Sequence, residues 1–492
     1  MKKSIFIMIL FVAACSRQTN PDRAVVLARI GSKTITVNEF IKRSEYAIRP
    51  AWCKRDDYIS RKVALNNLIA EKILAIEAGK DSLLLSNPEI KEYLTGRKEQ
   101  AMRRLCMHRF GYEKVHLDSS FVKKVAALSQ RVYKVNMFGS SSLKEAHTIK
   151  EMLLGKSPTL LASQQKNDSL KSMEATFQSP LPNALIEALF FKKHYKGDVI
   201  GPVKLDGRHF AVLRIEGWRR PLMESTEKSR QVYSDVAQRV RQLKGLDIYS
   251  AWVSKLMRGK TLIFNKDVFQ TVVKAIAPYY FKSDKQRKKA FNKKFWNKDN
   301  TEMSVNDLNG LFDRIANKLL FVFAGEKWTV ARFEDYQRRH PLVFRNRKMS
   351  RGEFADQFRL AIADMLRDKI ITEQAYKSGL GNDPMVVREV NIWKDNLLAL
   401  HQREKILKSV VHDSLNLYMQ IKKILDLQLD TLRKKYNDII FVNTTAFEKV
   451  KLTGIDMFAV RQQEPFPVVV PEFPLLTTHN RLDYGHRMED TR

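Results

Sequence analysis

The chain has 492 residues, with 87 Lys and Arg against 54 Asp and Glu, and a formal net charge of +33. A hydrophobic content of 44% excludes disorder throughout, and the length corresponds to about three domains at roughly 150 residues each. The basic residues are spread over nearly every segment, with no arginine-rich tail or aromatic RNA-binding signature. The charge therefore suits anionic surfaces or acidic polypeptides rather than nucleic acid.

Residues 1–14 open with Lys2 and Lys3, continue as an apolar run from Ile5 to Val12, and end in small residues before Cys15. This pattern predicts a secretory signal peptide, too short in its apolar part to span a bilayer as a permanent helix. The ending Val12-Ala13-Ala14-Cys15 resembles the lipobox of bacterial lipoproteins. The resemblance implies cleavage before Cys15, lipid on its thiol and new amino terminus, and a membrane partner reached through that lipid. Ser16 lacks the aspartate associated with inner-membrane retention, which leans toward the periplasmic face of the outer membrane. Export leaves nucleotide and nucleic acid unexpected as partners. Cys53 and Cys106 are then the remaining cysteines, either paired in an oxidising compartment or two buried thiols. No CxxC, Cys/His cluster, phosphate loop or nucleophile triad occurs, so no cofactor and no metal is expected.

In chain order, a tether at 15–23 leads to a first helical unit whose opening part spans 24–124. Val25 to Ile30 predicts a strand, and Thr36 with Glu39 has the spacing of a capping box. A long amphipathic helix is expected through Val63, Leu65, Leu68, Ile69, Ile73, Leu74 and Ile76, ending near Gly79, and another from Asn87-Pro88 toward Phe110. An α+β insert at 125–221 follows. It predicts a strand at Val132–Phe138, helices at Leu143–Leu154 and Pro182–Phe191, and two strands joined by a turn at Asp206-Gly207. A closing helix and strand occupy 222–275, and a basic connector 276–315 contains the lysine-rich run Lys282–Asn300.

A second helical unit at 316–450 repeats the opening. Leu319–Phe323, Thr329-Val330-Ala331-Arg332-Phe333, Met365–Ile371 and Asp383-Pro384 follow the order of Val26–Ile30, Thr36–Phe40, Leu68–Leu74 and Asn87-Pro88 at a nearly constant offset. Each copy closes with a basic helix, a short strand and an NxxxF element, Asn265 to Phe269 and Asn443 to Phe447. These landmarks predict an internal duplication. Residues 451–492 read as a strand and a proline-punctuated arm without its own core.

The strand-Gly-x-x-x-TVxxF start and the LIAEKILAIEAGK helix resemble the parvulin-type foldases, the SurA- and PrsA-like surface and periplasmic chaperones. In the insert the resemblance rests on Gly155-Lys156-Ser157 and on Gly197-x-x-x-Gly201-Pro202-Val203 before a final hairpin. It implies a mainly helical α+β chain with a duplicated SurA/PrsA-like unit and a parvulin-like insert in the first copy. It also implies an ATP-independent, membrane-tethered chaperone for unfolded or nascent exported proteins. The family's peptidyl-prolyl isomerase site uses paired histidines. Here Tyr133–Phe138 offers no histidine, and His209, which a shift of one or two residues exchanges with Phe210, is the catalytic candidate; His147 and His194 fall in helical settings. Two alternatives remain: an active isomerase, and an adaptor lipoprotein binding a fixed partner through the arm. Trp52, Trp218, Trp252, Tyr279, Tyr280 and Phe281 are bulky candidates for client contact, each also suited to a core.

Overall fold

The computed structural model describes residues 25–80, 83–155, 170–205, 209–221, 226–281, 312–346, 349–409, 416–452 and 468–488. The expected signal peptide, Cys15, Lys156-Ser157, the turn expected at Asp206-Gly207 and the run Lys282–Asn300 lie outside the described residues. The fold is α+β and mainly helical, with small sheets.

The chain begins with β1 (Val26–Ile30), β2 (Lys33–Thr36), α1 (Val37–Glu45), α2 (Tyr58–Gly79), α3 (Leu83–Ser86), α4 (Pro88–Phe110) and α5 (Ser119–Ser129). The insert supplies β3 (Val132–Ser140), α6 (Leu143–Gly155), β4 (Leu170–Ala175), α7 (Asn183–Phe190), β5 (Val199–Lys204) and β6 (Phe210–Arg219). It is followed by α8 (Thr226–Met257), β7 (Leu262–Phe264) and α9 (Lys266–Tyr280). The second half runs through β8 (Leu319–Phe323), β9 (Glu326–Thr329), α10 (Val330–Arg339), α11 (Phe354–Lys377) and α12 (Pro384–Ser409). It ends with α13 (Leu417–Gln420), α14 (Asp426–Lys435), β10 (Ile440–Val442), α15 (Thr444–Glu448) and β11 (His486–Arg487). Two compact units result: Met1–Met102 with Thr261–Leu366 and Gly379–Arg492, and Arg103–Lys260 with Arg367–Ser378.

In the first unit, strands from the two halves of the chain pair. β1 lies antiparallel to β10, with Ala28 opposite Val442 and Ile30 opposite Ile440. β7 lies antiparallel to β8, with Leu262 opposite Phe323 and Phe264 opposite Phe321. Each predicted closing strand thus completes the sheet opened by the other half, so the halves expected as successive units are interleaved. The reason is local: each opening hairpin leaves one strand edge unpaired, and an unpaired row of N–H and C=O groups must find a partner when buried. The same bonds recur in both sheets, Asn443 N–H donating to the Leu27 carbonyl and Asn265 N–H to the Leu320 carbonyl. Asn443 and Asn265 then cap the following helices by accepting from Ala446 N–H and Val268 N–H.

The opening helices start as their residues predict, Thr36 accepting from Glu39 N–H and Thr329 from Arg332 N–H. Glu39 does not return the capping bond but turns to Lys72. α2 is also not amphipathic: Val63 to Ala75 is buried on every face, including Asn66, Asn67, Glu71 and Lys72. It is the central helix of its unit, packed by the turn Ala51–Cys53, by β1 and β2, and by α12.

The second unit holds the four-stranded antiparallel sheet β4-β3-β6-β5. β4 was not among the expected strands; its Met173 and Ala175 turn inward while Lys171 and Glu174 are exposed, an alternation interrupted too soon to read in sequence. α6 covers one face through Ala146, Ile149 and Leu153 against Phe138 and Val212. α5, α7 and α8 cover the other, with Val125, Tyr133, Leu189, Leu213 and Val240 in that core. Gly201, at φ +118°, lies where β5 approaches β6; a Cβ there would stand 2.7 Å from the Ala211 carbonyl oxygen.

Because both sheets of the first unit are built from both halves, cutting the backbone should not separate them. A protease site inserted between residues 283 and 311 and cleaved in the full chain should leave both fragments co-eluting at native size. Separation into two species without denaturant would contradict this strand pairing.

Candidate functional site

The residues singled out for catalysis do not converge on one surface. His209 is exposed at the loop end of the β5–β6 hairpin, where its carbonyl accepts from Leu205 N–H. Phe210 takes the adjoining half-buried place against Phe138 and Val212. His147 is on the exposed side of α6. His194 is half-buried after α7, its Nε2 lying 2.7 Å from the Ala188 carbonyl, while its own carbonyl accepts from Arg131 Nη1. On β3 the polar place is taken by Asn136, whose Nδ2 donates to Glu216. Among the described residues, no group of three His, Cys, Asp or Glu side chains is arranged to hold a metal ion.

Cys53 and Cys106 are both free and buried, so the pairing considered from sequence is not formed. Burial pushes each thiol up to about 12. Little thiolate is therefore present near neutral pH, and neither is suited to nucleophilic or redox work. Of the bulky candidates, Trp252 stacks on Phe110 at 4.6 Å, and Tyr280 and Phe281 pack on Phe354. Trp52 meets Tyr418 edge-on at 5.1 Å. Trp218 is 44% exposed, with the Arg131 guanidinium 3.9 Å from its ring centroid. The side chain of Tyr279 lies outside the described residues.

The most elaborate arrangement lies in the first unit, along α2. Arg43 grips Glu71 with both ends of its guanidinium, Nη1 donating to Oε1 at 2.9 Å and Nη2 to Oε2 at 2.7 Å. Lys72 stands 3.0 Å from Glu39 and 3.2 Å from Asp395 on α12. Lys33 completes the cluster on Asp395. Three cations thus meet three carboxylates in the protein interior, where an unmatched charge would cost several kcal/mol. Burial opposes the charge on Lys72, but the carboxylates of Glu39, Asp395 and Glu71 raise its pKa above the ordinary value. Loss of water raises Glu39, with Lys72 and Arg43 pulling the other way. The geometry of the cluster is that of a clamp holding α12 to α2.

The same helix binds the C-terminal arm, which the sequence read as lacking a core. Phe473, Leu476 and Leu482 are buried in or against the cluster around β1, α2 and β10. Asn67 Oδ1 accepts from the N–H groups of Leu476 and Thr477 at 2.8 and 3.1 Å, and its Nδ2 donates to the Thr477 carbonyl. Asn66 donates to the carbonyls of His479 and Arg481. Asp426 on α14 accepts from both hydroxyls of Thr477 and Thr478 at 2.6 Å. Arg43 and Asn396 reach the Glu472 carbonyl, both at 3.0 Å. β11 closes the arm by parallel pairing with β10. Phe473, Leu476, Thr477 and Leu482 of the arm are therefore internal, while Arg481, Asp483, His486 and Arg487 face solvent. The missed signal was adjacent Asn66 and Asn67 between apolar residues on both sides, Val63 to Leu65 and Leu68 to Ala70, since buried amides require partners.

Breaking the clamp on one side should be severe. Glu71→Ala leaves Arg43 without its bidentate partner and should lower unfolding free energy by about 3–5 kcal/mol in urea titration. The double change Arg43→Met with Glu71→Leu should cost less than Glu71→Ala alone. A loss below about 1 kcal/mol for Glu71→Ala would contradict the clamp.

In the second unit, burial and the neighbouring Asp247 push half-buried Glu187 up to about 6, opposed by Lys244. Its ordinary value is about 4.3, so the folded state binds the proton more tightly and stability is lost as pH rises from about 4 through 6. Glu187→Gln should raise Tm relative to the parent at pH 7 and match it near pH 4. A difference that does not vary with pH would contradict this assignment.

No family model, curated protein or solved structure matches this chain.

Proposed function

We propose that this chain is an ATP-independent chaperone for unfolded exported proteins, tethered to a membrane through lipid on Cys15, with a parvulin-like insert that has lost the isomerase site. The observation that carries the reading is the set of large apolar side chains left in water on a strongly basic chain. Ile48 is 81% exposed and Leu83 85%, both in the first unit. Such side chains bind unfolded segments by burying apolar surface, and the basic field favours acidic clients at low salt.

The insert's sequence position, between α5 and α8, and its hairpin at β5–β6 support the parvulin-like part of the reading. The separate settings of His147, His194 and His209 support loss of catalysis. Matching caps at Thr36 and Thr329, and matching sheet bonds at Asn443 and Asn265, support the duplication. Among the described residues no helix is long and apolar enough to cross a membrane.

The test is refolding of a proline-limited protein in the presence of the full mature chain. The expected result is a higher yield of soluble product with an unchanged rate constant for the proline-limited phase. An accelerated phase would restore the isomerase, and an unchanged yield would remove the chaperone.

A further inference from the structure

The arm is held in the way a bound peptide would be held. Its main chain is read at Glu472, Leu476, Thr477, Thr478, His479, Arg481 and Gly485 by side chains of the groove, those of Arg43, Asn66, Asn67, Asn396, Asp426 and Asn437. Contacts to N–H and C=O groups do not depend on side-chain identity, so the same groove can take other extended segments. Apart from the short strand β11, residues 468–488 have no helix or ladder of their own. Opening the arm therefore breaks arm–groove contacts and little else.

The charged core beneath does not need the arm for its balance. Arg43 keeps both bonds to Glu71, and Asn396 Nδ2 keeps its 2.7 Å bond to Glu71, if the Glu472 carbonyl leaves. The remaining cations face the remaining carboxylates without any charge from the arm. The apolar places filled by Phe473, Leu476 and Leu482 would ask an incoming segment for bulky apolar residues at comparable spacing.

We infer that the groove along α2 is a binding site for extended polypeptide, occupied by the chain's own C-terminal arm and opened to client segments when the arm lifts away. The identity of the occupant rests on the chaperone reading; the groove itself does not. Because the arm competes with any client, apparent affinity is reduced by the fraction of molecules in which the groove is closed.

The experiment uses the full mature chain and a fluorescein-labelled peptide with the sequence of residues 468–488. Leu476→Ala with Thr477→Val weakens the arm while leaving every groove residue unchanged. The labelled peptide should bind this variant about tenfold tighter than the parent, since occupancy of the open state limits affinity. A permanently unfolded, carboxymethylated protein should displace it. Hydrogen exchange on the same samples should show arm amides opening in the parent while those of α2, α12 and β10 stay protected.

Equal affinity in parent and variant, with α2 protected, would overturn the inference. Loss of protection in α2 and β10 together with the arm would also overturn it, because the arm would then be inseparable from the fold. Failure to displace the peptide, with aggregation suppression intact, would remove clients as the occupant without touching the proposed function. Absent aggregation suppression with tight peptide binding would do the reverse.

Discussion

Charge and amide groups buried along α2 are the constraint on which the first unit depends. Glu71, Lys72, Asn66 and Asn67 sit in the part of α2 from Val63 to Ile76 that is otherwise Val, Leu, Ile and Ala, and none of them has water to turn to. An interior polar group left unpaired costs roughly 1–3 kcal/mol, and a charge more. Beside the nearby Arg43 and Glu39, partners come from far along the chain: Asp395 and Asn396 from the second half, Thr477 and His479 from the arm. Matching these groups selects one arrangement of segments that hydrophobic burial alone would leave free to slide.

The crossed sheets follow the same logic at the level of the main chain. β1 and β8 present similar edges, and β7 and β10 are similar short closers, so hydrophobic pattern does not decide which closer joins which opener. The clamp between α2 and α12 brings the halves together, and the exchanged strands complete both sheets. Gly485, at φ +68°, then lets β11 run close beside Ile440, where a Cβ would stand 2.5 Å from its carbonyl oxygen. In functional terms the unit becomes a fixed frame around an extended segment.

Local signals were legible in sequence. The caps at Thr36 and Thr329, the Asn-Pro and Asp-Pro helix starts, and the two insert helices depend on residues within one turn of each other. Signals that depend on distant partners were not. Glu39 has capping-box spacing but is drawn away by Lys72, and α2 shows an apolar stripe in sequence although both its faces are covered. The arm's prolines suggest an independent tail, whereas Phe473, Leu476 and Leu482 give it buried anchors. On β3 the sequence offers no histidine, and the structure leaves His209 exposed beyond β5. Cys53 and Cys106 carry no spacing rule that could distinguish a bridge from two buried thiols.

Native-state hydrogen exchange of the full chain under increasing denaturant tests the central role of α2 most directly. If its buried charges and amides hold both halves together, amides of α2, α12, β1 and β10 will converge on one opening free energy and one denaturant dependence. Separate opening of α12 or β10 at distinctly lower free energy, with α2 still protected, would contradict it.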